Sequence, residues 1–119
     1  CSVEINKDFC DYISKTIHDE RLIMCHDGAQ NLKQIIQKQG WKHADLVISG
    51  IPITTLPKSI AQEIIQSIYD NIKPGGMFVA YQLRDRVGKL ATPIFGESIN
   101  NWEFKNFPPM RIFIWKKES

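Results

Sequence analysis

The sequence has no long hydrophobic run. Its longest apolar stretches, such as residues 112–115, are far shorter than the ~20 residues that a membrane-spanning helix requires. It also has no basic and apolar leader followed by a small-residue cleavage site, so no pattern indicates secretion. We therefore expect a cytoplasmic protein, one that is able to act peripherally at a membrane surface.

Cysteine is scarce, and the spacing of the three cysteines matches no metal-binding or redox motif. Cys1, Cys10 and Cys25 are odd in number and form no CxxC motif, which argues against a disulfide framework and a structural zinc site. The three histidines show no metal-ligand spacing, and none is paired by sequence with a nucleophile. We expect reduced thiols, with Cys10 and Cys25 packed in the core, and no metal cofactor.

Neither sign of charge dominates, since the formal net charge is +2. The excess is unevenly placed: residues 1–83 carry eight Lys and Arg against nine Asp and Glu, whereas residues 84–119 carry seven against four. A basic C-terminal third favours an anionic partner there, either lipid headgroups or nucleic acid. A solvated basic face is the alternative explanation.

Alternating apolar patterns predict one α/β domain, since 119 residues suffice for a single domain but not for two. The predicted order is β-α-β-α-β-α-β, then a loop with a short helix, and two strands joined at residues 107–109. This order predicts a doubly wound, mostly parallel sheet with right-handed crossovers, helices on both faces and a closing antiparallel hairpin. The predicted strands are residues 2–5, 22–25, 44–49, 77–83, 102–106 and 111–116, and the predicted helices 8–18, 29–39 and 57–73.

Two of these helices carry apolar residues at intervals of four, which predicts a buried stripe on each. The strand at residues 44–49, ADLVIS, is short and nearly all apolar, as expected for a parallel strand covered on both faces. Gly40 follows the second helix and is a favoured residue at helix C-termini. The stripes are Phe9, Ile13 and Ile17 in the first helix and Ile60, Ile64, Ile68 and Ile72 in the third.

Residues at the strand ends are the first candidates for a site, because open parallel sheets bind ligands beyond the carboxyl ends of their strands. Glu4 lies near the end of the first strand. Its carboxylate can accept two hydrogen bonds from the diol of a ribose, and Ile5 can offer an apolar surface to an adenine. An ordinary surface position is the alternative for this glutamate.

The second candidate is Asp27-Gly28-Ala29, after the second strand. Asp27 can accept a hydrogen bond from the exocyclic amine of an adenine, while Gly28 leaves room for the ring and the Ala29 N–H can bond with a ring nitrogen. An aspartate before Gly-Ala is also an ordinary helix cap. This segment alone does not separate the two interpretations.

The third candidate is Ser49-Gly50-Ile51-Pro52, after the third strand. Proline restricts Ile51 to an extended conformation and has no N–H, so the strand ends here and we expect backbone carbonyls without partners. Such carbonyls can accept hydrogen bonds from an amine and so orient its lone pair. A plain turn between strand and helix is the alternative.

The fourth candidate is Tyr81, in the strand that follows the Lys-Pro-Gly-Gly turn at residues 73–76. Its side chain can face a substrate. An aromatic residue in a central strand more often packs in the core, however, and we predict the core position for Tyr81.

Together these segments resemble class I S-adenosylmethionine-dependent methyltransferases, and more narrowly the bacterial phospholipid N-methyltransferases and the related rRNA adenine dimethylases. VEIN at 3–6 is similar to the acidic motif of their second strand, HDGA at 26–29 to the adenine-binding loop, and DLVISGIPITTLP at 45–57 to the motif after strand four. IKPGGMFVAYQL at 72–83 resembles the helix, turn and fifth strand, and NFPPMRIFIW at 106–115 the hairpin before the last strand. The resemblance covers almost the whole chain.

The resemblance implies a Rossmann-like fold, S-adenosylmethionine as cofactor and methyl transfer to an amine. Such a displacement needs little acid-base help, because positioning and exclusion of water supply most of its acceleration, and the lack of a catalytic triad is consistent with that. The implied cofactor-binding residues are Glu4, Ile5, Asp27, Gly28 and Ala29, and those implied at the acceptor amine are Ser49, Gly50, Ile51 and Pro52.

One feature of the family is missing from this sequence. Members begin with a strand and a GxGxG-type loop that binds the methionine part of the cofactor, and no GxG occurs here. Loss of a central strand would expose two neighbouring sheet edges. We therefore interpret residues 1–119 as a single, partial methyltransferase-like domain of a larger enzyme. Supply of the missing part by another chain and an inactive remnant are the alternatives.

Three functions are compatible with the resemblance: N-methylation of a phospholipid ethanolamine headgroup, adenine N6 methylation of RNA, and a non-catalytic methyltransferase-like binding module. The adenine N6 enzymes usually place a stacking aromatic residue where this sequence has Ile53. Aliphatic Ile51, Ile53 and Leu56 instead suit an acyl chain. We expect a small-molecule cofactor and an anionic membrane surface as partners, ahead of nucleic acid, and an oligomer is compatible with the sequence.

Overall fold

Strands and helices alternate along the chain. This computed structural model of the protein describes residues 1–82, 86–103 and 110–118. The strands in these ranges are β1 (Ser2–Glu4), β2 (Met24–His26), β3 (Ala44–Ser49), β4 (Ile72–Gln82), β5 (Ile99–Glu103) and β6 (Met110–Lys116). The helices in the same ranges are α1 (Lys7–Thr16), α2 (Leu32–Lys38), α3 (Lys58–Asn71) and α4 (Arg86–Phe95).

The described strands form two sheets. β1 and β2 pair in parallel, with Glu4 opposite His26. The second sheet has the order β3-β4-β6-β5, in which β3 and β4 are parallel and β6 is antiparallel to both of its neighbours. The predicted mixed α/β fold with an antiparallel C-terminal pair is confirmed. The predicted connection at residues 107–109 lies outside the described residues.

The boundary of β4 differs from the predicted one. The strand was expected to begin at Met77, but Ile72 already pairs with Ala44 before Met77 pairs with Leu46. The residues between Ile72 and Met77 therefore loop out of the ladder as a bulge. Gly75 has a φ of 79° in this bulge, a left-handed conformation that favours glycine.

The segment predicted as a helix at residues 29–39 is divided in two. A 3₁₀ turn at Ala29–Asn31 precedes α2, and the helix ends before Gly40, which has a φ of 75°. The prediction that Gly40 marks the C-terminal end of this helix is confirmed. The β2 strand lies slightly later than the predicted residues 22–25, and β5 begins earlier than the predicted 102–106.

Asn6 directly precedes helix α1 and caps it, because its side chain accepts hydrogen bonds from the N–H groups of Asp8 and Phe9. The buried stripe predicted on α1 is wrong, because Phe9 and Ile17 are 59% and 51% exposed. Cys10 is the buried residue of this helix. Among the described residues, the main contacts of this helix are with the two-stranded sheet, which is too narrow to cover the whole stripe.

The core lies between α3, α4 and one face of the larger sheet. Trp115 stacks on Phe78 and Phe113, with ring centroids 5.3 and 5.5 Å apart. Burial of such large rings contributes strongly to folding because each removes ~150–250 Å² from water. The stripe predicted on α3 joins this core, with Ile64, Ile68 and Ile72 buried and Ile60 half-buried.

The opposite face of the larger sheet is not covered by the described helices. Leu46 and Ile48 on β3 are 46% and 62% exposed, and Met77 on β4 is 42% exposed. Side chains alternate along a strand, so these residues point away from the core that holds Phe78. The prediction that β3 is covered on both faces is therefore wrong for the described part of the chain.

Candidate functional site

A cavity of about 1340 Å³ lies between the two sheets. Strand β1 lines it from one side and β3 from the other, while β2 does not reach it. Its volume exceeds the ~300–1,000 Å³ of common small-molecule pockets. All nine residues predicted for the site line this cavity: Glu4, Ile5, Asp27, Gly28, Ala29, Ser49, Gly50, Ile51 and Pro52.

Glu4 is the last residue of β1, and its backbone is held by two neighbours. Its carbonyl accepts hydrogen bonds from the Asp27 N–H at 3.1 Å and from the Cys10 thiol at 3.4 Å. One carboxylate oxygen, Oε1, accepts a bond from the Asn6 N–H at 3.0 Å. The carboxylate is therefore fixed at the rim of the cavity, with its second oxygen available to a ligand hydroxyl.

Asp27 follows β2 and lies beside Glu4. Its Oδ1 accepts hydrogen bonds from the Gly28 N–H at 2.7 Å and from the Asn31 side chain at 2.8 Å. The bond donated by Asn31, and then that from Gly28, lowers the pKa of the Asp27 carboxyl from its ordinary value. Asp27 is therefore an ionised acceptor at neutral pH.

Gln30 is a residue of this site that the sequence did not single out. A Cβ placed on Gly28 would overlap the Gln30 side-chain amide, so the amide lies directly over that glycine. Gln30 also lines the cavity. Its amide adds both a donor and an acceptor beside Asp27. The only signal in the sequence is a polar residue directly after Gly-Ala.

The segment after β3 is more fully bonded than predicted. The Gln82 side chain donates a hydrogen bond of 2.6 Å to the Ile51 carbonyl, and the Thr55 N–H and hydroxyl both bond to the Pro52 carbonyl. The expectation of carbonyls without partners is therefore wrong for Ile51 and Pro52. The Ser49 hydroxyl accepts a bond from the Ile51 N–H at 3.2 Å, which tightens the turn around Gly50.

Tyr81 lines the cavity, which corrects its predicted place in the core. Its side chain is 44% exposed, because the neighbouring β4 residues Ala80 and Gln82 take the buried face of the strand. Gln82 was not singled out from the sequence. The available signal in the sequence was a glutamine at the end of an apolar strand, since such a side chain requires a polar partner when it is buried.

The aliphatic residues around Pro52 divide between the core and the cavity. Ile53 is 2% exposed and belongs to the core, so the prediction that it adjoins an acyl chain is wrong. The 3₁₀ turn at Ile53–Thr55 directs it inward. Ile51 and Leu56 do line the cavity.

Charge is distributed along the cavity. Glu4 and Asp27 place two carboxylates at the carboxyl ends of β1 and β2. At the amino end of β3, Lys42 lines the wall and Lys73 forms an ion pair of 2.5 Å with Asp45. The carboxyl ends of the strands are thus the acidic end of the cavity, which favours a cationic ligand there.

The sequence matches no family model. Among curated proteins, the chain is 33% identical over 49 residues to an ornithine lipid N-methyltransferase of Singulisphaera acidiphila. That match covers 41% of this chain and 26% of the relative. The matched segment therefore spans about a quarter of that enzyme and less than half of this chain.

Solved structures match over nearly the whole chain. The 16S rRNA methyltransferase RsmC of T. thermophilus, in complex with AdoMet and guanosine, superimposes with a TM-score of 0.72 at 15% identity, over 98% of this chain and 29% of its own. The N-methyltransferase NodS of Bradyrhizobium japonicum gives 0.74 at 10% identity, over 98% and 72% of the two chains. An rRNA methylase of Streptococcus thermophilus gives 0.69 at 16% identity, with the same coverage. The chain therefore has the Rossmann-like fold of class I S-adenosylmethionine-dependent methyltransferases.

Proposed function

We propose that the protein is part of an S-adenosylmethionine-dependent N-methyltransferase that acts on the amine of a lipid headgroup, in first place phospholipid ethanolamine. One observation carries the proposal: Glu4 and Asp27 lie side by side in the same cavity that the turn at residues 49–52 lines. A nucleoside bound by the two carboxylates would direct its 5′ substituent along the strand ends. The turn at residues 49–52 would then lie beside that substituent, where the methyl-accepting amine must approach.

The residues present fit the adenosine half of the cofactor. Glu4 would bind the ribose diol, while Asp27 and the Ala29 N–H would bind the edge of the adenine, with Ile5 against the ring. When bound, S-adenosylmethionine supplies a methyl group on a positively charged sulfur, which the acidic end of this cavity favours. No residue is assigned to the methionine half, because the glycine-rich loop has no counterpart in the sequence.

The acceptor end is assigned to the turn at residues 49–52. The Ser49 hydroxyl and Gln82 amide fix this turn, so the Gly50 backbone would be held rigidly beside the amine. The bound cofactor would supply the methyl group, and an amine held at this turn would accept it and release a proton to solvent. The task of these residues is to orient the lone pair and exclude water.

A lipid acceptor is favoured over RNA by two observations. The relative with 33% identity is named as an ornithine lipid N-methyltransferase. The position after Pro52 holds Ile53, which is buried and aliphatic and offers no surface for stacking on a flipped base. None of the helices in the described ranges is long and apolar enough to cross a membrane. The location that we propose is cytoplasmic, with the protein acting peripherally at the membrane surface.

RNA remains the second candidate because two of the similar structures are named as rRNA methylases. The two acceptors separate in a direct assay. Radiolabelled methyl groups from S-adenosylmethionine should enter phosphatidylethanolamine vesicles and not an adenine-containing RNA. Co-sedimentation with anionic vesicles, set against an RNA gel shift, checks binding independently. Label in RNA alone would overturn the lipid proposal.

Cofactor binding is tested by calorimetry with S-adenosylhomocysteine. The 119-residue chain is compared with a version extended at its N-terminus by the residues encoded ahead of Cys1. Binding by the extended protein supports the proposal. Binding by neither would contradict it and favour a non-catalytic binding module.

A further inference from the structure

Tyr81 is placed at the acceptor end of the cavity by the pairing of β3 with β4. Ser49 pairs with Ala80, so the next residue on each strand, Gly50 and Tyr81, are neighbours at the strand ends. Because Ala80 and Gln82 face the core, the tyrosine side chain projects from the opposite face and lines the cavity.

Gly50 makes room for this tyrosine. A Cβ built on Gly50 would lie 2.5 Å from the Tyr81 hydroxyl oxygen and 2.7 Å from the ring carbon that bears it. Real Cβ atoms do not approach other atoms so closely, so the phenol occupies the space that any side chain at position 50 would need. Glycine at this position is therefore a requirement of the tyrosine's location.

The backbone beneath Tyr81 is fixed, but its hydroxyl is not committed to another group. The buried Gln82 amide ties the end of β4 to the Ile51 carbonyl at 2.6 Å. In contrast, no other group of the described residues forms a hydrogen bond with the Tyr81 hydroxyl. The phenol is thus a donor and acceptor that lines the cavity from a fixed stretch of backbone.

We infer that Tyr81 is a positioning residue for the methyl-accepting amine, an inference that rests on the proposed function. Its hydroxyl would accept a hydrogen bond from an N–H of the amine, which orients the nitrogen lone pair. Its ring would attract the ammonium form of the headgroup, since aromatic faces bind such cations. The substrate class is therefore an amine that retains at least one N–H.

The test uses the N-terminally extended protein and two measurements. The first is binding of phosphoethanolamine without cofactor, followed by NMR. Tyr81→Phe should weaken this binding about tenfold, as expected for loss of one hydrogen bond to a charged group. The second is methyl transfer to phosphatidylethanolamine vesicles. Tyr81→Phe should raise the KM for the lipid while leaving the affinity for S-adenosylhomocysteine within about twofold.

Two further variants separate positioning from a structural role. Tyr12→Phe removes a hydroxyl from an exposed tyrosine on α1 that does not line the cavity, and it should change neither measurement. Gly50→Ala should displace the phenol and reproduce the loss seen in Tyr81→Phe. Because both changes remove the same contact, the double variant should lose little more than either single one.

The possible failures can be told apart. Absence of S-adenosylhomocysteine binding overturns the proposed function, whereas weaker phosphoethanolamine binding in Tyr81→Phe would still support the role of Tyr81. Equal phosphoethanolamine binding by the wild type and Tyr81→Phe, or no binding by the wild type, overturns the inference even if methyl transfer occurs. A thermal melt confirms that each variant is folded.

Discussion

The Glu4 carbonyl accepts a hydrogen bond from the Asp27 N–H over 3.1 Å, and this bond ties together the ends of two strands whose last acidic residues both line the cavity. It forms because β1 and β2 pair in parallel and end at the same level, with Glu4 opposite His26. Their carboxyl ends are the edge at which parallel sheets bind ligands. Under the proposed function, Glu4 would bind the sugar and Asp27 the base.

Replacement of Glu4 tests this arrangement. Glu4→Gln removes the charge but keeps the shape, and it should weaken S-adenosylhomocysteine binding about tenfold, because charge-assisted hydrogen bonds to a ribose are lost. Glu63→Gln, on the exposed side of α3, is the matched control and should leave the affinity unchanged. Equal affinities for Glu4→Gln and the wild type in calorimetry would remove Glu4 from the site.

The ionisation of Asp27 is tested by pH titration. Its pKa is lowered by the bond from Asn31, so the folded state favours the ionised form. This contribution to stability is present above the ordinary carboxyl pKa of about 3.9 and is lost as the pH falls through the lower folded value. The contribution of Asp27 to the free energy of unfolding should therefore be constant between about pH 5 and about pH 8.

Asn31→Ala removes the main donor and should raise the pKa of Asp27 toward its ordinary value. The Asp45 carboxyl, whose pKa is lowered by Lys73, serves as an internal control and should not change. Carboxyl ¹³C chemical shifts followed over pH measure both groups in one sample. An unchanged Asp27 titration in Asn31→Ala would show that another group controls it.

Two isoleucines test the assignment of the core. Ile65 on α3 is fully buried, whereas Ile48 on β3 is 62% exposed. Ile65→Ala should lower the free energy of unfolding by about 2–5 kcal/mol, because it leaves a cavity in the core. Ile48→Ala should change it by less than about 0.5 kcal/mol. Urea denaturation of the 119-residue chain provides the comparison, and similar losses would contradict the described packing.

The thiols should differ in reactivity. Burial is the main cause that raises the pKa of the Cys10 thiol, which reduces its reactive thiolate at neutral pH. Cys1 is exposed and its sulfur lies 3.3 Å from that of Cys25. Iodoacetamide should therefore modify Cys1 before Cys10, as measured by peptide mass spectrometry. Modification of both at the same rate would show that Cys10 is accessible.

The sequence predicted the fold best where local and long-range forces agree. Strand β3 was predicted with both of its bounds, and the α3 stripe is buried as expected. The sequence could not show that Phe9 would lie beside a sheet too narrow to bury it. It also could not show that β4 begins at Ile72, before the bulge, because that start depends on the pairing of Ile72 with Ala44.

For the site, the sequence located the strand ends but not the bonds between them. Glu4 and Asp27 were singled out because acids follow strands, and the structure brings them together, while their ligand roles remain predictions. The hydrogen bond from Gln82 to Ile51 joins residues far apart in the chain and has no local signal. The position of Tyr81 depended on which sheet face is covered, which alternation alone does not tell.

The most direct measurement is a crystal structure of the N-terminally extended protein with S-adenosylhomocysteine. We predict Glu4 carboxylate oxygens about 2.5–3.0 Å from the ribose hydroxyls, with the adenine edge against Asp27 and Ala29. An adenosine bound elsewhere, or a Glu4 carboxylate turned away from the sugar, would contradict it.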